Sequence, residues 1–192
     1  RLEGICEINP KSEPISDDTM VSFVAMPDVS EGGKIYVGNI RPYREVKKGF
    51  TCFKEGDVLF AKITPCMENG KGALAVGLKN GIGCGSTEFH VLRPNEEIVD
   101  GKWLYYLTAW PSFRADAEKH MTGSAGQKRV PKSFLEKYDL NGDGKADRAD
   151  IELLLQHLLT KKQLSQQQAA LADPDGNGAL NAADLSALKQ LV

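Results

Sequence analysis

The chain has 192 residues, 41% of them apolar, enough for one large core or two small ones. It has no run of about eighteen apolar residues to span a membrane and no basic-then-apolar leader, although with Arg at position 1 the missing leader carries little weight. Charge divides unevenly: residues 1–138 carry 19 Lys and Arg against 18 Asp and Glu, a net of +1, whereas residues 139–192 carry 5 against 8, a net of −3. A balance of +1 excludes a nonspecific wrapper of nucleic acid, so any such binding must use a local basic face.

Up to about residue 100 the pattern is that of short strands cut by glycine turns. Residues 21–26, 58–63, 73–76 and 88–92 are apolar or alternating runs bounded by Gly, Asp or Pro. The last of these ends at Arg93 and Pro94, since proline lacks the N–H a ladder needs. Between residues 101 and 121, Trp103, Leu104, Leu107, Trp110, Phe113 and Ala117 recur every three or four positions, as on one helix face. Pro111 interrupts the run, and two helices or one kinked helix fit the pattern equally. A polar loop over residues 122–129 leads to a short helix at 134–138, opened by Pro131 or Ser133.

After Tyr138 the composition turns to Asp, Asn, Gly, Leu and Gln. Helical runs at 151–160 and 182–192 each follow an acidic loop, with a Gln-rich helix expected at 165–172. The four cysteines, Cys6, Cys52, Cys66 and Cys84, show no CxxC pair and read as reduced core thiols, in preference to the disulfides that an even count could mean in a short secreted protein.

The acidic loops carry the strongest chemistry. Asp139, Asn141, Asp143, Gly144, Asp147 and Asp150 occupy positions 1, 3, 5, 6, 9 and 12 of a twelve-residue loop. Asp173, Asp175, Asn177, Gly178, Asn181 and Asp184 repeat the spacing. Calcium needs six to eight hard oxygens around one point; alternation turns successive side chains inward and the glycine permits the bend. The position-7 carbonyls of Lys145 and Ala179 complete the two shells. With Gly near 7% of residues and Asp or Asn at about a tenth of positions, one such loop arises by chance on the order of once per million start points. Two calcium ions are therefore expected, in preference to a pair of Asp/Asn turns that merely cap helices.

Both loops end in Asp where the usual EF-hand has Glu. That feature, in two loop–helix units over residues 139–192, resembles the dockerin module of cellulosomal proteins. The resemblance implies a small all-α, calcium-folded, EF-hand-like domain that docks onto a cohesin. The family's contact positions, often Ser-Thr, are here Arg148 and Ala149, and Ala182 and Ala183.

Four phrases of the first part resemble the target-recognition domain of type I restriction-modification specificity subunits. They are GICEINP at 4–10, GDVLFAKITPCMENGKG at 56–72, GSTEFHVLRP at 85–94 and MTGSAGQKRVP at 121–131. The resemblance implies an α/β domain over residues 1–138, mainly β with C-terminal helices, that reads one half of a split double-stranded DNA sequence. It also implies methyltransferase and restriction subunits as partners and a cytoplasmic location. Specificity subunits carry two such domains joined by long helices, whereas here Tyr138 and Asp139 run straight into the first calcium loop.

The residues themselves are compatible with DNA contact. Lys62, Thr64, Asn69 and Lys71 flank a strand–turn–strand and offer donors and a bidentate amide for base edges. Ser124, Gln127, Lys128 and Arg129 sit at a Gly-Ser-Ala-Gly bend suited to clamping a phosphate. The segment 85–88 reads as a structural turn, and Trp103, Tyr105, Tyr106 and Trp110 as core in preference to a base-stacking platform. His90, His120 and His157 form no visible triad or metal cluster, so no catalytic centre is expected. The other reading is an extracellular, calcium-dependent scaffold component docking to a cohesin-like partner. Pairing of two copies through a twofold axis would restore a bipartite DNA site.

Overall fold

Eight short strands form among the described residues, each bounded by the glycines, prolines and polar turns that stop it. They are β1 (Cys6–Ile8), β2 (Met20–Val24), β3 (Ile40–Pro42), β4 (Thr51–Lys54), β5 (Val58–Ala61), β6 (Gly72–Leu74), β7 (Ile82–Gly85) and β8 (Phe89–Pro94). Helices α1 (Tyr43–Val46), α2 (Gly101–Ala109), α3 (Pro111–Lys119) and α4 (Lys132–Lys137) complete the fold. The computed structural model describes residues 1–124 and 126–139, all within the first of the chain's two units, Arg1–Asp150. The residues expected to form the calcium loops, from Asn141 to Asp184, and the helices expected at 151–160, 165–172 and 182–192 lie outside the described residues.

The strands make two four-stranded sheets, ordered β1-β8-β5-β6 and β3-β2-β7-β4. The first is antiparallel throughout; in the second, β2 and β7 run parallel. Alternation of side chains decides the layering. Leu59 and Ala61 of β5 face a core shared with Val24, Phe53, Phe89 and Val91 from both sheets. Phe60 points the other way, edge-on to Phe113 of α3 with ring centroids 5.7 Å apart. All four residues of β5 are thereby buried. On the far side of the second sheet, Val21 and Cys84 pack with Val46 of α1. The parallel β2–β7 pairing leaves no room for a side chain at Gly85, where a Cβ would lie 1.9 Å from the Val24 carbonyl oxygen.

Asp100 caps α2, its Oδ1 accepting the Trp103 N–H at 2.7 Å. Pro111 disfavours helical geometry at the residue before it, and Trp110 is extended (φ −63°, ψ 129°). The chain therefore makes two helices rather than one kinked helix.

The expected strands are present with shifted ends. The run expected at 58–63 stops at Ala61 because Lys62 to Thr64 leave β5 for another partner, described below. The strand expected at 88–92 begins at Phe89 and continues to Pro94, which occupies the last rung opposite Cys6. The last helix opens at Lys132, with Pro131 before it in extended conformation.

One expectation is overturned. Cys52 and Cys84 form a disulfide instead of standing as reduced thiols. They face each other across β4 and β7, a register that their separation of 32 residues does not reveal. Cys6 and Cys66 remain free, and burial pushes the Cys6 thiol up to about 12.

Candidate nucleic-acid interface

Backbone pairing brings the two predicted recognition segments together. Beyond β5, the Thr64 N–H donates to the Lys128 carbonyl at 3.0 Å and the Val130 N–H to the Lys62 carbonyl at 2.9 Å. Arg129 and Thr122 exchange both backbone bonds at 2.8 and 3.0 Å, and the Lys62 N–H reaches the Glu88 carbonyl at 2.9 Å. Residues 62–64, 128–130 and Thr122 thus prolong the first sheet past the end of β5, with the polar loop 122–129 at its margin.

His90 of β8 secures this extension from below. Its Nε2 lies 2.8 Å from the Val130 carbonyl oxygen, which can only accept, so Nε2 carries the hydrogen. Nδ1 then accepts from Asn9 Nδ2 at 3.0 Å, and Asn9 Oδ1 accepts the Val91 N–H at 3.0 Å. Burial pushes the His90 pKa down to about 4, so the ring is neutral at neutral pH.

The predicted side chains divide into two groups. Asn69, Ser124, Gln127 and Lys128 are exposed. Lys62 is half-buried and lines an open cavity of about 320 Å³ with Asn9, Ser12, Phe50 and Phe89. The other three are already engaged. Arg129 grips Glu88 with Nε and Nη2 at 2.9 and 2.8 Å, and its Nη1 donates to the Gln127 carbonyl at 2.9 Å. That fork holds the Glu88 carboxyl below the usual carboxylate range and raises Arg129. Lys71 Nζ donates to the Met26 carbonyl at 3.2 Å, and the Thr64 hydroxyl donates to Glu68 Oε1 at 2.7 Å.

The loop between β5 and β6 is internally bonded. Met67 N–H reaches Ile63 O and Asn69 N–H reaches Pro65 O, both at 3.0 Å, while Lys71 N–H reaches Cys66 O at 3.0 Å. The Met67 side chain is buried beneath it. A residue that sequence reasoning passed over lies behind this loop: Arg114 of α3, buried, with Nη1 2.6 Å from the Met67 carbonyl oxygen. Its signal was positional, since Arg114 shares the helical face of Trp110 and Ala117, where a charge is out of place. Glu88, read as part of a structural turn, does sit in that turn and also binds Arg129. Of the four aromatics read as core, Trp103, Tyr105 and Trp110 are half-buried, but Tyr106 is 53% exposed.

Comparison with known proteins agrees with this architecture. The chain is 48% identical over 138 residues to the type I restriction enzyme EcoAI specificity subunit of Escherichia coli. It resembles a type I specificity subunit. A second relative, the EcoEI specificity subunit of the same organism, is 44% identical over 142 residues. The alignments take in 70% and 72% of this chain but only 23% and 24% of the relatives, so the chain spans about a quarter of their length. The crystal structure of the HsdS subunit from Thermoanaerobacter tengcongensis shares the fold, with a TM-score of 0.54 at 18% identity over 91% of this chain and 45% of that one. A chain from a structural study of complex assembly and conformational transition in the type I R-M system gives 0.53 at 19% identity, with the same coverage. The described domain is therefore a mixed α/β fold of the kind found in specificity subunits. Residues 129–192 match the dockerin type I domain.

Proposed function

We propose that residues 1–138 bind double-stranded DNA sequence-specifically, as a specificity-subunit-like target-recognition domain without a catalytic centre, and that residues 139–192 form an appended calcium-binding module. The observation that carries the DNA reading is the joining of loops 62–71 and 122–130, distant in sequence, into one polar margin of the first sheet. Lys62, Thr64, Asn69, Lys71, Ser124, Gln127, Lys128 and Arg129 make up the interface. Asn69, Gln127 and Lys128 reach the duplex, while Lys71 and Arg129 hold the loops as well as adding positive charge. This is recognition without chemistry, so affinity should fall steeply with salt, at about 0.9 in log–log slope for each phosphate neutralised.

Lys128→Ala tests the phosphate role: it should weaken binding to all duplexes alike and lower the salt slope by about 1. Lys71→Ala and Arg129→Ala should each weaken binding as well. Unchanged affinity in all three variants, measured by fluorescence anisotropy, would remove this site assignment.

The domain boundary is placed at Tyr138 and Asp139. In support, Phe134 and Leu135 are buried and the Tyr138 carbonyl accepts the Leu2 N–H at 3.0 Å. The dockerin match begins earlier, at residue 129. Two calcium ions, each held by one acidic loop, follow from the sequence spacing, with the dockerin match in support. Ion binding should be linked to folding of the module, because the loop carboxylates repel one another without it. A calcium titration should raise helix content in circular dichroism; an unchanged spectrum would contradict the assignment.

Methyltransferase and restriction subunits as partners, a cytoplasmic location and a homodimer that pairs two half-sites complete the proposal. The dockerin match favours one second reading, a scaffold component docking to a cohesin-like partner. Calcium-dependent capture by an immobilised cohesin, with no DNA binding, would select it.

A further inference from the structure

Arg114 is a buried cation without a carboxylate partner among the described residues. It projects from α3, is 6% exposed, and stacks its guanidinium 5.0 Å from the centre of the Phe60 ring. Burial pushes its pKa down to about 10, still far above neutral, so the group stays charged at a cost in desolvation. A side chain kept there only for packing would be better served by Met or Leu.

What the charge does is hold carbonyls. Nη1 donates to Met67 O at 2.6 Å and Nη2 to Lys71 O at 3.3 Å. Both oxygens are already acceptors within the fold: Met67 O takes the Gly70 N–H at 3.1 Å, and Lys71 O takes the Ala61 N–H at 3.2 Å. The guanidinium therefore bridges two points of the β5–β6 loop, one at its middle and one at its exit. Gly72 makes room for it, since a Cβ there would lie 3.0 Å from Nη2 and 2.9 Å from Leu59 O. The same loop carries Asn69, which is exposed, and Lys71, which is half-buried and bonded to the Met26 carbonyl.

We infer that Arg114 is a positioning residue for recognition: it contacts no DNA and fixes the conformation in which loop 62–71 presents Asn69 to a base edge. The planar fork is what matters, because a Lys ammonium has no fixed geometry with which to span both carbonyls. This inference rests on the DNA-binding reading and refines it.

The test compares the full-length wild type with Arg114→Lys and with Phe60→Leu, which loosens the same packing without removing the carbonyl bridge. Two readouts are taken: the motif enriched from a randomised duplex library, and hydrogen exchange of the Met67, Asn69, Gly70 and Lys71 amides. Arg114→Lys should speed exchange of those amides about tenfold, the loss expected for a charge-assisted hydrogen bond, and should broaden the motif at the positions wild type reads. Phe60→Leu should keep the motif even if its melting temperature falls as far. An unaltered motif and unaltered exchange in Arg114→Lys would overturn the inference.

If wild type enriches no motif, the DNA reading fails by itself, and the exchange rates alone then decide whether Arg114 fixes the loop. Should Arg114→Lys not fold, Arg114→Met, which packs without the charge, takes its place. Faster exchange of the four amides than in wild type supports the bridge, and unaltered exchange overturns it.

Discussion

His90 ties three segments together through one neutral ring, and its titration exposes that role. Its pKa lies near 4 in the fold and near the ordinary 6.5 when unfolded. Above pH 6.5 the ring is neutral in both states. As pH falls from 6.5 towards 4, the unfolded chain takes up a proton that the folded chain does not, so stability declines across that window and levels off below it. The loss amounts to about 3 kcal/mol. Urea denaturation from pH 7 to pH 5 isolates it from most carboxylate effects, and His90→Gln should flatten the curve there. Asp57 gives a second residue-scale prediction. Its buried carboxylate accepts from Arg93 Nε and Nη2 at 2.8 and 2.7 Å and from the Lys54 N–H at 2.7 Å. Asp57→Ala leaves those donors without their acceptor and should cost about 3 kcal/mol in chemical denaturation.

Among the elements, Gly85 sets the approach of β2 to β7. Gly85→Ala puts a methyl against the Val24 carbonyl and should cost about 3 kcal/mol, lowering the melting temperature by roughly 6–12 °C. An unchanged melting temperature would mean that the two strands can separate locally at no cost. What was legible beforehand follows from patterning. The runs around β2, β5, β6 and β8 and the face of α2 and α3 announced themselves by apolar periodicity. β1, β3, β4 and β7 have three or four residues each, as β5 and β6 do, but their sequences CEI, IRP, TCFK and IGCG hold no sustained apolar run, and only their pairing defines them. The same holds at the candidate site. Lys62, Thr64, Lys128 and Arg129 stand out by residue type, yet their union depends on bonds such as Thr64 N–H to Lys128 O, which local sequence does not encode. Nor did it reveal that Arg129 meets Glu88 or that Cys52 meets Cys84, since both pairs join segments from different strands or turns. Thiol titration of the unfolded, unreduced chain should accordingly count two free cysteines, Cys6 and Cys66; four would contradict the β4–β7 pairing of Cys52 with Cys84.

For the whole molecule, charge and chemistry divide the work. The first 138 residues are close to neutral overall, so the proposed sequence specificity would have to come from a few placed groups rather than from a broad field. The acidic second part adds repulsion towards DNA unless calcium neutralises it. Calcium is thus expected to leave the preferred DNA sequence unchanged while modestly tightening binding at low salt. The account stands or falls on sequence-specific recognition. Purified full-length chain should be incubated with a randomised double-stranded DNA library at moderate salt, with and without calcium, and the retained fraction sequenced. A short motif enriched in both conditions is the predicted result, and a two-half motif would add pairing of two copies. No enrichment in either condition would contradict the DNA-recognition account and leave the calcium-dependent docking reading in its place.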